Sequence, residues 1–149
     1  MMIQFGRTTD MDNWMDLVEE IRWNFPGLET NEKIQAYRKT ALRFIGKEQA
    51  LCAKDDHGKI VGVLLFSRGH NMICCLGVSP GHRRRGIASC LLHKALGQLD
   101  RTKDISVSTF REDDEKGDAP RALYKKFGFV EDELTEEFGY PNQVFLLHP

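Results

Sequence analysis

A short basic turn near the middle of the chain separates a strand pattern from a helix pattern. Residues 72–78 form an apolar run, which Pro80 and Gly81 then interrupt. Apolar residues recur at helical spacing over residues 86–99, and three arginines at positions 83–85 lie directly before them. A strand that passes through one turn into an amphipathic helix predicts a fold in which helices cover a sheet.

The beginning of this helix has the physical properties of an anion site. Its first backbone N–H groups have no partner inside the helix, and the helix dipole adds partial positive charge there. Gly86 and Ala88 keep the backbone accessible, while the three arginines add full charges. These features predict a phosphate-binding site. A solvated turn is the alternative, although arginines before a helix oppose its dipole.

The rest of the chain shows the same two periodicities. They predict an α/β (α+β mixed) fold in which one mixed sheet is covered by helices, in the order strand, helix, helix, three strands, helix, strand, helix, strand. Thr9 and Asp12 are spaced as a capping box for the first helix. The predicted strands are residues 2–7, 50–54, 59–66, 72–78, 105–110 and 144–147, and the predicted helices contain residues 14–21, 34–45, 86–99 and 118–127.

Length, charge and cysteine content limit the class of protein. The 149 residues are expected to form a single domain, residues 1–149. Lys and Arg number 21 and Asp and Glu 22, and a net charge of -1 argues against a general nucleic-acid binder. The four cysteines have neither zinc spacing nor the pattern of a disulfide framework, so we expect no metal site. The lack of a signal peptide and of a long apolar run predicts a cytoplasmic protein with no membrane partner.

Two blocks of the sequence match one known family. Residues 83–88 read RRRGIA, residues 76–80 before them read LGVSP, and residues 122–129 read ALYKKFGF. In these blocks the sequence resembles the GNAT superfamily of acetyl-CoA-dependent N-acetyltransferases. The pyrophosphate signature of that family is Q/R-x-x-G-x-G/A, and a later motif ends in LYxxxGF. Two blocks in the right order and at the right separation carry more weight than one short match.

The resemblance implies a cofactor site and a sheet shape. In this family a mixed, mostly antiparallel sheet is flanked by helices, and strands four and five splay apart to admit acetyl-CoA. The backbone of residues 76–78 would pair with the pantetheine arm, and the N–H groups of residues 84–89 would hold the pyrophosphate. The implied cofactor-binding residues are Leu76, Gly77, Val78, Arg83, Arg84, Arg85, Gly86, Ile87, Ala88 and Ser89.

The resemblance also implies catalytic residues. The amide of Val78 would polarise the thioester carbonyl. Tyr124 matches the tyrosine that many relatives use as general acid toward the leaving thiolate, and a phenol with a pKa of about 10 is protonated at neutral pH. The alternative role of Tyr124 is core packing. Gly117 stands where many relatives have an asparagine, so one family contact is missing or supplied otherwise.

The acceptor amine needs a base, and Glu112 is the nearest candidate in the sequence. Residues 72–76 hold no carboxylate, although some relatives carry their base there. The amine must lose a proton before or during its attack on the thioester. Glu112 follows the fifth predicted strand, and the alternative is that it is a solvated loop residue.

The resemblance also implies which regions set the choice of acceptor: the first two helices, residues 14–44, and the loops after strands five and six, residues 111–117 and 131–140. Both loops are acidic. An acidic rim attracts a cationic amine, such as a polyamine, an aminoglycoside-like amine, a small basic metabolite or a protein lysine. A solvated acidic surface is the alternative. A non-catalytic acyl-CoA-binding regulatory module of the same fold is the main alternative function. Nucleic-acid binding through the three arginines lacks the aromatic residues that usually accompany it.

A few further residues have two possible roles. Trp14, Trp23 and Phe25 could line an acceptor pocket, although aromatic residues at helical spacing more often form the core. Cys74 and Cys75 lie in an apolar run and are expected to be buried and unreactive. The last strand could pair across a homodimer, but the sequence does not define an oligomeric state.

Overall fold

The strands of the chain form one seven-stranded sheet. The computed structural model describes residues 1–149. Six neighbouring pairs follow the strand order β1-β2-β3-β4-β5-β7-β6, and all are antiparallel except β4–β5, which is parallel. This arrangement confirms the predicted fold class. The strands are β1 (Met2–Phe5), β2 (Ala50–Lys54), β3 (Ile60–Ser67), β4 (Met72–Val78), β5 (Ile105–Phe110), β6 (Val130–Glu137) and β7 (Tyr140–Leu147).

Helices cover both faces of the sheet, and the sheet separates two apolar cores. On one face, Trp14, Leu17 and Val18 of the first helix pack against apolar residues of β2 and β3. On the other face, Leu91 and Leu92 of the third helix pack with residues of β3, β4, β5 and β7. None of these helices is both long enough and apolar enough to cross a membrane. The helices are α1 (Met11–Ile21), α2 (Asn31–Gly46), α3 (Ile87–Leu96) and α4 (Asp118–Lys126).

The sheet opens between β4 and β5. These strands pair only at their first residues, Met72 with Ser106 and Ile73 with Val107. Beyond that point β4 continues to Val78 and β5 to Phe110 without pairing to each other. The expected splay between strands four and five is therefore confirmed. It leaves one edge of each strand free in the middle of the sheet.

A bulge in β4 lies at the beginning of the opening. Leu65 of β3 pairs with Cys75, but the next residue, Phe66, pairs with Ile73, so Cys74 has no partner in β3. An extra residue of this kind bends a strand and redirects the side chains beside it. Cys74 is consequently exposed, which corrects the expectation that it is buried. The neighbouring Cys75 is half-buried and faces α1 and α2.

One strand was missed by the periodicity of the sequence. Residues 130–137, within the segment expected to be an acidic loop, form β6, and β7 begins at Tyr140 instead of residue 144. β6 lies at the sheet edge and pairs only with β7. Its side chains are exposed or half-buried throughout, so no face of the strand belongs to the core. Alternating hydrophobicity reflects the burial of one face, and a strand that buries neither face does not show it.

The first helix begins differently from the predicted capping box. α1 starts at Met11, directly after a short 3-10 turn at residues 8–10. The carboxylate of Asp10 accepts the N–H of Arg7 at 2.8 Å and the Nζ of Lys54 at 2.8 Å. Thr9 and Asp12 form no such reciprocal pair, because the short turn moves the helix start beyond Thr9. Asp10 therefore closes the short turn before α1 and ties it to β2, while α1 itself has no side-chain cap.

Candidate active site

The turn between β4 and α3 contains a run of unpaired backbone N–H groups. None of the N–H groups from Arg83 to Ser89 donates a hydrogen bond within the protein. The N–H of Cys90 is the first in α3 to do so, to the carbonyl of Gly86 at 3.0 Å. An ordinary helix start leaves about four such groups unpaired. Here the run extends backwards into the turn, and it offers a larger set of donors to an anion.

Two residues with positive φ shape this turn. Arg84 has φ 63 and Gly86 has φ 77. Left-handed residues within a turn make consecutive N–H groups converge into an anion-binding concavity. A Cβ at Gly86 would have open space around it, so the glycine is favoured here by its backbone conformation and not by crowding. The turn therefore presents several unpaired backbone donors that could bind an anion.

The side chains of this turn have separate tasks. Arg83, Arg84 and Arg85 are exposed and form no ion pair, so their charges are available to a ligand. Ile87 is buried and anchors α3 on the sheet. Gly62 of β3 makes this packing possible, because a Cβ there would lie 2.9 Å from Cγ2 of Ile87.

The last residues of β4 present a free edge to the opening. Leu76, Gly77 and Val78 pair with β3 on one side, and no strand pairs with them on the other. Gly77 also lies directly against α1 and the residues after it. A Cβ at this position would lie 2.6 Å from Cδ1 of Ile21 and 3.3 Å from Cζ of Phe25. Gly77 thus lets helix and strand approach closely at the beginning of the basic turn.

Tyr124 lies on the α3–α4 side of the sheet and is almost fully buried. It is 4% exposed, and its ring centroid lies 5.6 Å from that of Phe129 and 6.2 Å from that of Phe145. Burial raises the pKa of Tyr124 above its ordinary value, and the thiol of Cys75 adds to this effect. The phenol is therefore protonated at physiological pH. Its ring is part of the core, as the packing alternative requires, and its hydroxyl has no hydrogen-bond partner in the protein.

Cys75 lies near two phenols at the opening. Burial raises its pKa to about 12, so its thiol is protonated at physiological pH and is not a nucleophile. On its α2 side lies Tyr37, whose hydroxyl accepts the Nε1 of Trp14 at 3.1 Å. Trp14 is completely buried, so it belongs to the core and not to an acceptor pocket. Trp23, in contrast, is 64% exposed.

Glu112 is exposed in the loop after β5 and makes no hydrogen bond or ion pair within the protein. Two of its neighbours are held firmly. Arg111 donates to the carbonyls of Asn142 and Thr135 at 3.1 and 2.9 Å. The carboxylate of Asp114 accepts the hydroxyl of Tyr140 at 2.5 Å. The acidic segment after β5 is therefore attached to the β6–β7 hairpin.

Phe138 was not recognised from the sequence, although it joins the two regions expected to contact the acceptor. It lies in the turn between β6 and β7 with φ 53 and is 75% exposed. Its ring packs against Gly27 in the loop between α1 and α2, where a Cβ would lie 2.9 Å from Cδ2 of Phe138. A bulky residue with positive φ is uncommon, and that rarity was visible only in the backbone.

Arg121 was also missed. It lies three residues before Tyr124 on α4 and is only 5% exposed. The only signal in the sequence was an arginine on the same helix face as the tyrosine. No group of three or more His, Cys, Asp or Glu side chains is arranged to hold a metal ion.

Fold and site together define a class: an α/β protein whose sheet opens beside a turn of unpaired backbone N–H groups. Residues 46–131 match the family model described as an acetyltransferase (GNAT) domain. This match covers more than half of the chain, and the chain therefore belongs to the GNAT family of acetyltransferases. It is an enzyme of acetyl transfer, and the acetyl donor of this family is acetyl-CoA.

Solved structures with little sequence identity share the fold over nearly the whole chain. A GNAT-family acetyltransferase from Bacillus cereus is 22% identical with a TM-score of 0.75, covering 97% of this chain and 94% of its own. An N-acetyltransferase from Staphylococcus aureus is 18% identical with a TM-score of 0.75, covering 98% and 100%. The PaiA N-acetyltransferase from Thermoplasma acidophilum, solved with coenzyme A, is 16% identical with a TM-score of 0.73, covering 99% and 98%. No curated protein matches the chain in sequence at a significant level.

Proposed function

We propose that the chain transfers the acetyl group of acetyl-CoA to a primary amine, which attacks the thioester carbonyl directly. The observation that carries this proposal is the run of unpaired N–H groups from Arg83 to Ser89 at the mouth of the β4–β5 opening. A structural neighbour from Thermoplasma acidophilum is bound to coenzyme A, which supports the same ligand here. Acetyl-CoA supplies an activated thioester, and the residues of this chain would bind it, polarise its carbonyl and transfer the protons.

The proposed donor site combines the turn with the free edge of β4. The N–H groups of residues 84–89 would bind the pyrophosphate, and Arg83 to Arg85 would add charge around it. The free edge of Leu76 to Val78 would pair with the pantetheine arm as an additional strand does. The amide of Val78 would donate a hydrogen bond to the thioester oxygen, where negative charge develops during the reaction.

Tyr124 is the proposed general acid. As the N–C bond forms and the C–S bond breaks, its hydroxyl would give a proton to the leaving sulfur. Two properties support this role: the hydroxyl has no partner in the protein, and its raised pKa keeps it protonated. The proton that the amine loses requires an acceptor, for which we propose Glu112, acting directly or through water. Its exposure and lack of protein partners leave its carboxylate free for this task.

The proposed acceptor is a cationic amine, either a small molecule or a protein amine. The opening is bordered by the loop after β5 and by the β6–β7 hairpin, which together carry many carboxylates. Such a surface concentrates cations by electrostatic attraction. The contact of Phe138 with Gly27 adds an apolar element to this border. The acceptor would then combine an apolar part with a positively charged amine.

The decisive experiment measures thiol release from acetyl-CoA with a panel of amines, beside calorimetric titration of acetyl-CoA alone. The panel contains polyamines, aminoglycosides, small basic metabolites and lysine peptides. The expected result is saturable acetyl-CoA binding together with turnover of at least one cationic amine. Binding without turnover of any amine would contradict the catalytic proposal and favour a non-catalytic acyl-CoA-binding module.

A further inference from the structure

A buried arginine lies one helical turn before Tyr124. Arg121 is 5% exposed, and residues three apart on a helix share a face, so Arg121 and Tyr124 both point toward the sheet. Arginine is rarely buried unless its charge is paired and its N–H groups are bonded. The contacts of Arg121 therefore show what this burial achieves.

The guanidinium of Arg121 joins α4 to three strands. Nη1 donates to the carbonyl of Phe110, the last residue of β5, at 3.0 Å, and to Oε1 of Gln143 in β7 at 2.8 Å. Nη2 lies 3.2 Å from Oε1 of Glu131 in β6, which pairs its charge but does not give it a hydrogen bond. The same carboxylate oxygen lies 2.7 Å from Nζ of Lys125, and hydrogen bonding to Lys125 lowers the pKa of Glu131, so the carboxylate stays charged.

The same side chain packs against the surroundings of Tyr124. The guanidinium carbon lies 4.8 Å from the centroid of the Phe145 ring, and the centroid of that ring lies 6.2 Å from that of Tyr124. Phe145 is completely buried, so it transmits the position of one neighbour to the other. Arg121 and Tyr124 therefore both pack against the ring of Phe145.

Gly117 explains how α4 can approach β5 so closely. A Cβ at Gly117 would lie 2.9 Å from Cβ of Phe110 and 3.1 Å from Cδ of Arg121. An asparagine, which many relatives have here, would collide with both. The stem of Arg121 fills the space beside this glycine, and its head bonds the end of β5. The departure at Gly117 and the burial of Arg121 are two parts of one arrangement.

We infer that Arg121 is a positioning residue for Tyr124. It fixes α4 to the end of β5, at the point where β5 has left β4, and so holds the tyrosine hydroxyl at the opening. The inference rests on the proposed role of Tyr124 as general acid. Proton transfer depends on placement within a fraction of an ångström, so a loosened α4 lowers the rate without removing the acid itself.

A double-mutant cycle tests this inference. Arg121→Met, which keeps the apolar stem and removes all hydrogen bonds, is compared in the native background and in Tyr124→Phe. Thiol release is measured with the best acceptor of the panel, or with water if no amine is used. We expect Arg121→Met to lower kcat by about tenfold or more in the native background and by less than about twofold in Tyr124→Phe. The affinity for acetyl-CoA is expected to stay unchanged in both.

Two further variants separate positioning from general destabilisation. Lys125→Met removes the exposed partner of Glu131 and is expected to leave kcat within about twofold. Arg121→Lys keeps the charge and serves as the test variant if Arg121→Met does not fold. A loss of kcat that is equally large with and without Tyr124 would show a structural role only and would overturn the inference.

A spectroscopic measurement reads the same coupling without turnover. The chain has three tyrosines, so ¹³Cζ-labelled tyrosine gives three signals, and the signal of Tyr124 is the one missing in Tyr124→Phe. We expect Arg121→Met to shift or broaden this signal and to leave that of Tyr37, on the opposite face of the sheet, in place. An unchanged Tyr124 signal contradicts the inference. Failure of wild-type protein to bind acetyl-CoA contradicts the proposed function instead. Full activity of Tyr124→Phe contradicts the acid role of Tyr124 and with it the inference, while the proposed acetyl transfer stands.

Discussion

At the scale of single residues, the proposed acid role of Tyr124 depends on its burial. Its ring is held in the core, while its hydroxyl is bound to no protein group. The apolar surroundings disfavour the phenolate and raise the pKa, which keeps the proton on the oxygen until a stronger base forms beside it. A departing thiolate is such a base only when it is held within hydrogen-bond distance.

Tyr124→Phe is expected to lower kcat by about a hundredfold and to leave the affinity for acetyl-CoA unchanged, because the hydroxyl acts on the leaving group and not on the bound donor. Steady-state kinetics and calorimetric titration measure the two quantities. Because the pKa of Tyr124 is raised, its acid form persists as pH rises, so kcat should not decline through loss of this proton up to a pH of about 10. Equal kcat values for Tyr124→Phe and wild type would remove Tyr124 from the mechanism.

Gly117→Ala tests whether the beginning of α4 has any free space. The added Cβ would lie 2.9 Å from that of Phe110, so we expect a loss of about 1–3 kcal/mol in the free energy of unfolding. Gly46→Ala is the matched control, because a Cβ there has open space, and it should be neutral or slightly stabilising. Urea denaturation of both variants gives the comparison. A loss of the same size at Gly46 would show that crowding at Gly117 is not the cause.

The role of a single residue could be predicted only where a motif carried it. The match to a family block singled out Tyr124 and Gly86. Nothing local indicated that Arg121 is buried, because an arginine on an amphipathic helix usually faces water. Its partners Phe110, Glu131 and Gln143 come from three strands and are brought together only by the tertiary fold.

At the scale of elements, the unit of β4, turn and α3 is the part best encoded by local sequence. The strand ends at Val78, and the helix begins at Ile87 behind Gly86, close to the predicted bounds. Its N–H groups remain unpaired because the turn takes left-handed conformations at Arg84 and Gly86. The donors for an anion therefore depend on backbone conformation more than on arginine side chains.

Gly86→Ala is expected to lower the free energy of unfolding by about 1 kcal/mol, since its φ of 77 is unfavourable for a residue with a Cβ. It should also weaken acetyl-CoA binding, because relief of the strain would turn the N–H groups away from one another. Gly139→Ala is the matched control: it has φ 73, equally open space and a position in the β6–β7 turn. Chemical denaturation and calorimetric titration are measured for both. Equal acetyl-CoA affinity in the two variants would contradict the backbone anion site.

The edge strand β6 is an element that could not be predicted from the sequence pattern. Its eight residues include five carboxylates, and neither face is covered. The strand forms because β7 pairs with it. Arg111 also donates to the carbonyl of Thr135, and the charge of Arg121 pairs with Glu131. Charges at a sheet edge also discourage pairing with another chain. The acidic pattern that resembled a loop is therefore compatible with a protected edge strand.

At the scale of the whole molecule, a net charge of -1 conceals two separate surfaces. Exposed arginines surround the turn before α3, and carboxylates cover the β6–β7 hairpin and the loop after β5. The opening between β4 and β5 lies between these regions. A donor that carries phosphates and an acceptor that carries a cationic amine would each find the opposite charge.

Removal of two carboxylates near the opening tests the acidic side. Glu136→Gln/Glu137→Gln is expected to lower kcat/KM for a cationic acceptor by about two- to fivefold at low salt, and the difference should vanish at about 0.5 M salt, where charges are screened. Glu48→Gln/Asp104→Asn makes the same change in net charge at the other end of the sheet and is the control. Kinetics at several salt concentrations provide the measurement. An equal decrease in the control would indicate net charge as the cause, with no local attraction.

The sequence by itself determined the fold class, the unit of β4, turn and α3, and the family, because strands, helices and turns that bury one face or need a special residue carry local patterns. Tertiary structure alone decided the width of the opening, the exposure of Cys74, the existence of β6 and the burial of Arg121. Each of these depends on groups far apart in the chain. Their free energy arises from pairing and packing between elements. A short stretch of sequence carries no pattern that reports such long-range contacts.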